Sequence, residues 1–211
     1  VRQLYLREMK ATRLYILIFT VFIPLSYIMN VPSIGITIWI ISGFIPLVFF
    51  LDSQNNVNRF LVSMPIQRKQ LVLARYLFLL SITLGAMLFL WLFDAVAYQR
   101  LPYLILQSMT GFEILQLFIV NSLLLSIYIP FFYYFRNFTR AVTFFMLSAV
   151  FFIYSYAVIT GNPLISFDDP IRDFLINITN GQSIYLLIFS GIVLYLSFRL
   201  SFWLFTKKDI L

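Results

Sequence analysis

Six long apolar runs follow one another along this chain, approximately from Ala11 to Met29, Ile34 to Leu51, Tyr76 to Ala97, Ile114 to Tyr134, Ala141 to Ile159 and Ser183 to Phe205. Each comes close to the ~20 residues that an α-helix needs to cross the ~30 Å hydrocarbon core of a bilayer. Lipid offers the backbone no hydrogen-bond partners, so a helix that satisfies its own N–H and C=O groups is the expected form. A single run of this kind could be a buried helix of a soluble domain, but six in succession could not all be hidden from water. Composition agrees: 62% of the 211 residues are hydrophobic and 11% are charged, against about 45–50% and about 25% in soluble domains. The expectation is an all-α polytopic membrane protein with about six transmembrane helices, residues 1–211 forming a single transmembrane domain without room for an added soluble enzyme.

Charge sets the expected orientation, because basic residues collect on the cytoplasmic side of a membrane. With the N-terminus inside, the inner side takes Arg2, Arg7, Lys10 and Arg13, then Arg59, Arg68, Lys69 and Arg75, then Arg136 and Arg140, then Arg199, Lys207 and Lys208. Only Arg100 and Arg172, of 15 Lys and Arg residues, fall outside. Asp168, Asp169 and Asp173 lie in the last external segment, where Pro170 leaves room for short helical pieces, one around Ile171 to Ile178. A plasma-membrane protein with both termini cytoplasmic follows. The stretch before the first run, with Leu4, Tyr5 and Met9 among Arg2, Arg7, Glu8 and Lys10, suits a short helix in the headgroup layer. Pro24 breaks the run and no clear small-residue cleavage site follows, so the first run is expected to be a retained span.

The segment between the second and third runs, Asp52 to Arg75, combines charge with a patterned apolar face. Val57, Phe60, Leu61 and Met64 follow the i, i+3, i+4, i+7 spacing of an amphipathic helix, with Asp52 or Ser53 available as its N-cap. Pro65 then forces a break and suits the first turn of a second helix running into span three. Positive residues at a membrane edge keep any loop inside, which accounts for Arg68, Lys69 and Arg75 one by one. The apolar face beside them calls for a further surface, either lipid headgroups or a partner protein.

At this point the chain resembles a family, the membrane subunits of ABC-2-type transporters. The resemblance rests on "LVSMPIQRKQLVLARYLFLL", a short apolar pair, Pro, a basic pair, then Val or Leu, a basic residue and Tyr entering span three. It rests also on the basic prelude, the six spans and "LFTKKDIL". In size and texture the chain is similar to small staphylococcal exporter subunits for phenol-soluble modulins. The resemblance implies a permease subunit paired with a second permease subunit, as homodimer or heterodimer, and served by cytoplasmic ABC ATPase subunits. It implies no cofactor in this chain, ATP and magnesium belonging to the partner ATPase. It assigns the coupling role to Met64, Pro65, Ile66, Gln67, Arg68, Lys69 and Gln70, with Phe60 adding an apolar contact. No G-x-x-x-x-G-K-[ST] phosphate loop occurs in the chain, consistent with ATP hydrolysis elsewhere.

Few polar groups lie within the spans. Asp94 falls about 27 Å along the third, near the outer headgroups, where solvation is the expected state and contact with a cationic part of a substrate is the functional alternative. Ser81 and Gly85 form a small-x-x-x-small pair expected to serve packing. Asn121, Ser122 and Ser126 on span four, and Tyr154, Ser155 and Tyr156 on span five, either bond between helices or line a translocation path. With no Cys and no His in the chain, thiol and imidazole chemistry are excluded, and Asp94 alone cannot supply an aspartyl pair. An intramembrane enzyme is therefore disfavoured, while a non-pumping membrane scaffold or immunity protein stays open. Aromatics make up 19% of the chain, and charge-poor, aromatic-rich spans suit an amphipathic peptide or other lipophilic, membrane-active compound as cargo.

Overall fold

The computed structural model describes residues 2–29, 33–54, 67–100, 109–135, 137–161 and 180–207. Among these the regular structure is helical, in six helices: α1 (Arg2–Ile28), α2 (Ser33–Gln54), α3 (Arg68–Arg100), α4 (Gly111–Tyr134), α5 (Phe138–Gly161) and α6 (Asn180–Lys207). Local chemistry starts several of them. The Gln67 carbonyl accepts from the Gln70 and Leu71 N–H groups to open α3. Thr110 and Glu113 close a capping box at the start of α4, each side chain bonding the other's backbone N–H. At α5, Asn137 bonds the Thr139 N–H with its side chain and the Ala141 N–H with its carbonyl. Among the described residues four stretches are long and apolar enough to cross a membrane, Arg2–Ile28, Arg68–Ala97, Gly111–Tyr134 and Gln182–Lys207. The 33 residues of α3 span about 50 Å, some 20 Å more than the hydrocarbon, so the helix extends past it.

Helix directions follow from paired contacts. Glu8 meets Arg75 and Tyr27 meets Asp94, so α1 and α3 run the same way. Ser126 meets Ser197 and Tyr133 meets Phe205, so α4 and α6 also run together. Phe49 near the end of α2 packs on Phe132 near the end of α4, and Phe138 at the start of α5 lies against both Phe50 and Phe132. One end of the bundle therefore gathers the starts of α1, α3 and α5 and the ends of α2, α4 and α6, the alternation of a multi-pass protein. That end is the basic one, with Arg7, Arg68, Lys69, Arg75, Arg140 and Lys207. The larger apolar core lies towards it, built on Phe44, Val48, Phe78, Ile129 and Phe145, and a smaller one around Ile23, Ile40 and Leu90 lies towards the other.

Among the described residues α4 and α6 pack against each other most extensively. Ser183, Ser190, Ser197 and Ser201 are all buried on α6; small residues let two backbones approach in a medium where apolar burial gives no drive. Large side chains point outwards instead, among them Leu14, Leu17, Val21 and Leu25 of α1 and Tyr185, Ile188, Ile192 and Tyr195 of α6. In water that surface would be untenable; against lipid tails it is the expected exterior.

Several sequence expectations are refined or corrected. The N-terminal stretch is helical and continues unbroken into the first span, because Tyr5 bonds Ser81 and Glu8 bonds Arg75, holding the prelude along α3. Asp52 does not start a new helix, since α2 runs on to Gln54 and the Asp52 carboxylate turns to Arg75. Ser81 does make a helix contact, but a Cβ added at Gly85 would meet nothing within 4 Å, so the pair is not a packed face. The amphipathic face at Val57, Phe60, Leu61 and Met64 lies outside the described residues, as do the acids of the last external segment and its expected helical pieces.

Candidate functional site at the basic end of the bundle

Three helices bring their charges to one point. Arg75, in the second turn of α3, donates to Asp52 of α2 and, at 3.0 Å, to Glu8 of α1. Arg7 lies beside the same carboxylates, 2.5 Å from Glu8 and 3.5 Å from Asp52. Glu8, Asp52 and Arg75 are each no more than 5% exposed, while the Arg7 side chain is 31% exposed. Two cations thus balance two anions in a setting that water screens poorly. Desolvating such charges costs several kcal/mol per ion, roughly, and is offset only where every partner is held in good geometry.

An aromatic column extends the cluster. The Arg75 guanidinium lies over the Phe49 ring at 4.7 Å from its centroid. Phe49 stacks on Phe132 with centroids 4.6 Å apart and meets Tyr133 edge-on at 5.5 Å. Tyr133 in turn meets Phe205 of α6 at 5.3 Å. Arg68, at the start of α3, donates to the Phe205 and Thr206 carbonyls at 3.4 and 3.0 Å. Those are among the carbonyls a helix end leaves without intrahelical partners, and a cation there also complements the helix dipole. Two arginines of one helix therefore bracket a run of rings reaching α2, α4 and α6.

The residues expected to carry coupling sit at this end where they are described. Gln67 and Lys69 are exposed, Gln70 is partly buried, and Arg68 is engaged with α6 as above. Phe60, Met64, Pro65 and Ile66 lie outside the described residues.

The residues considered for a substrate path are scattered. Asp94 is buried, not solvated: it accepts from the Tyr27 hydroxyl at 2.8 Å and from the Met109 N–H at 2.7 Å, which ties α1 to α3 and to the approach of α4. Ser126 donates to the Leu123 carbonyl, and its own carbonyl accepts from Ser197. Asn121 donates to the Leu117 carbonyl, while its Oδ1 and the Ser122 Oγ are buried without a hydrogen-bond partner. Tyr154 is 67% exposed on the outer surface of α5, and the Tyr156 side chain lies outside the described residues. The structure thus brings Asn121, Ser122 and Ser126 together on α4 and separates them from Asp94 and Tyr154.

Sequence reasoning missed Glu8, Asp52 and the paired role of Arg75. The signal was available. Glu8 and Asp52 are the first two acids of the chain, each placed where a helix reaches the basic side, and a lone acid among cations at a membrane edge has a ready partner. The serines of α6 were likewise legible, since Ser183, Ser190 and Ser197 recur every seventh residue.

Among the described residues no group of three or more His, Cys, Asp or Glu side chains comes together as a metal site. Comparison with curated proteins and with solved structures finds no match. A family model described as "ABC-2 family transporter protein" matches residues 1–207. With that match running from the prelude of α1 to the last residue of α6, the chain belongs to the ABC-2 family of transporter membrane proteins.

Proposed function

We propose that this chain is the permease subunit of an ATP-driven exporter, acting with a second permease subunit and with separate ABC ATPase subunits. Membership of the ABC-2 family over residues 1–207 is the observation that carries the reading. ATP and its magnesium belong to the partner, the chain having no phosphate loop of its own. The basic end faces the cytoplasm in the plasma membrane, in keeping with the positive-inside rule, and residues 1–211 act as one transmembrane domain. The segment from Met64 to Gln70, with Phe60, is the handle on which the ATPase acts.

The cargo is an amphipathic peptide or a similarly lipophilic, membrane-active compound. The spans are poor in charge and rich in aromatic faces, which suit a molecule entering from the inner leaflet and suit a saccharide badly. On α4, Asn121 Oδ1 and Ser122 Oγ are buried without a hydrogen-bond partner, and opening of the bundle would present them to such a cargo. The test is reconstitution of the complete complex in vesicles, comparing an amphipathic helical peptide with a polar saccharide for stimulated ATP hydrolysis and export. Response to the peptide alone is expected. Response to the saccharide alone overturns the cargo, and response to neither favours a non-pumping scaffold.

A further inference from the structure

We infer that Arg75, Asp52 and Glu8 are positioning residues that clamp the two ends of segment 55–67 to each other and to α1, so that force on that segment moves α1, α2 and α3 as one body. The inference rests on the permease reading above, in which that segment meets the ATPase.

Placement is the first ground. Asp52 lies two residues before the end of α2, and Arg75 lies in the second turn of α3. Their ion pair therefore closes the base of the segment between those helices. Glu8 adds α1, which is otherwise remote in sequence from both. Arg68 then fixes the same end of α3 to the last carbonyls of α6, giving the clamp an anchor on the far side of the bundle.

Burial is the second. A positive charge that only keeps a loop inside works best in water, as the exposed Lys69 and Arg140 do. Arg75 is 4% exposed and takes both carboxylates with one guanidinium, its face resting on Phe49. Buried ion pairs add little to stability compared with apolar residues of similar size, and their best-attested use is to specify one arrangement over others. Apolar helix faces in lipid can slide; a guanidinium shared by two carboxylates on two helices cannot. Opening the cluster would leave Glu8 and Asp52 buried with only the partly exposed Arg7, so the clamp stays closed while the helices move.

The test has two arms, both on the full chain, whose lack of cysteine makes site-directed labelling clean. In the first, spin labels at exposed Gln54 and Gln67 report the distance across the base of the segment in lipid nanodiscs, without any partner. The wild-type distribution is expected to be narrow, Arg75→Gln and the milder Asp52→Asn to broaden it, and the exchange Asp52→Arg with Arg75→Asp to narrow it again. In the second, the same substitutions enter the complex with its ATPase subunits. ATP hydrolysis is expected to continue while peptide export is lost, and the exchange to restore export; a general loss of folding would take both activities. Unchanged distributions in both single variants overturn the clamp. Undiminished export with a broadened distribution overturns its role in coupling. A wild-type complex that neither hydrolyses ATP nor exports refutes the permease reading and with it the coupling role, and the distance arm still decides the clamp.

Discussion

Ser197 of α6 donates its hydroxyl to the Ser126 carbonyl of α4 at 2.5 Å, the carbonyl that Pro130 leaves without its usual helical partner. Proline has no N–H for the residue four positions before it, and in lipid no water can substitute. A neighbouring helix completes the backbone instead. Because that proton is committed, Ser197 accepts from the Tyr76 hydroxyl at 2.6 Å, and Tyr76 accepts from Ser201 at 2.8 Å, each hydroxyl having one hydrogen to give. The chain of bonds joins α3, α4 and α6.

Removing that donor tests the account. Ser197→Ala leaves a buried carbonyl unsatisfied and is expected to destabilise the protein by about 1–3 kcal/mol. Pro130→Ala restores an N–H within α4, so the double variant is expected to lose less than Ser197→Ala alone. Thermal unfolding in detergent of the two single variants and the double variant checks this, and additive losses would contradict it.

At the opposite end Tyr27 and Asp94 form one unit, with Met109 as the second donor. Glu8 and Tyr27 on α1, like Arg75 and Asp94 on α3, are separated by nineteen residues, about 28 Å, close to the hydrocarbon thickness. The two helices are thus held together near both membrane boundaries. Tyr27→Phe and Asp94→Asn are each expected to destabilise, with a coupling energy between them of about 0.5–3 kcal/mol in a double-mutant cycle. A coupling indistinguishable from zero would mean the contact holds nothing.

Arg68 and Lys69, adjacent in sequence, are expected to behave differently. Lys69 is exposed, so Lys69→Glu should change stability by less than about 0.5 kcal/mol while weakening association with the ATPase by reversing charge at the proposed coupling segment. Arg68→Glu should weaken association and also loosen the end of α6, whose carbonyls it would repel. Co-purification with the ATPase alongside melting temperature separates the two. Equal melting temperatures for both variants would remove the structural role of Arg68.

Orientation is open to direct labelling. Single cysteines at Gln67 and Lys207 should be shielded from an impermeant thiol reagent in intact cells, and one at Gly111 should react, its added Cβ meeting open space at the other end of the bundle. Labelling at Gln67 from outside would reverse the assignment of the basic end to the cytoplasm.

The all-helical class and the approximate spans were legible in the sequence because they depend on local quantities, run length and hydropathy. The gathering of basic residues at one end followed from their alternation between spans, and the family from the pattern around "MPIQRKQ". What the tertiary structure decided was the partner of each polar group. Asp94 read as solvated because its distance along one helix placed it near the headgroups; Tyr27, 67 residues earlier, buries it. Asp52 read as a local cap because capping needs only neighbours in sequence; Arg75 claims it from the next helix, and Glu8 joins from a third. A charge in a lipid-facing bundle has one low-energy solution, an opposite charge or a donor within reach. Which one lies within reach depends on how helices pack, and hydropathy, nearly uniform along these spans, carries no record of that.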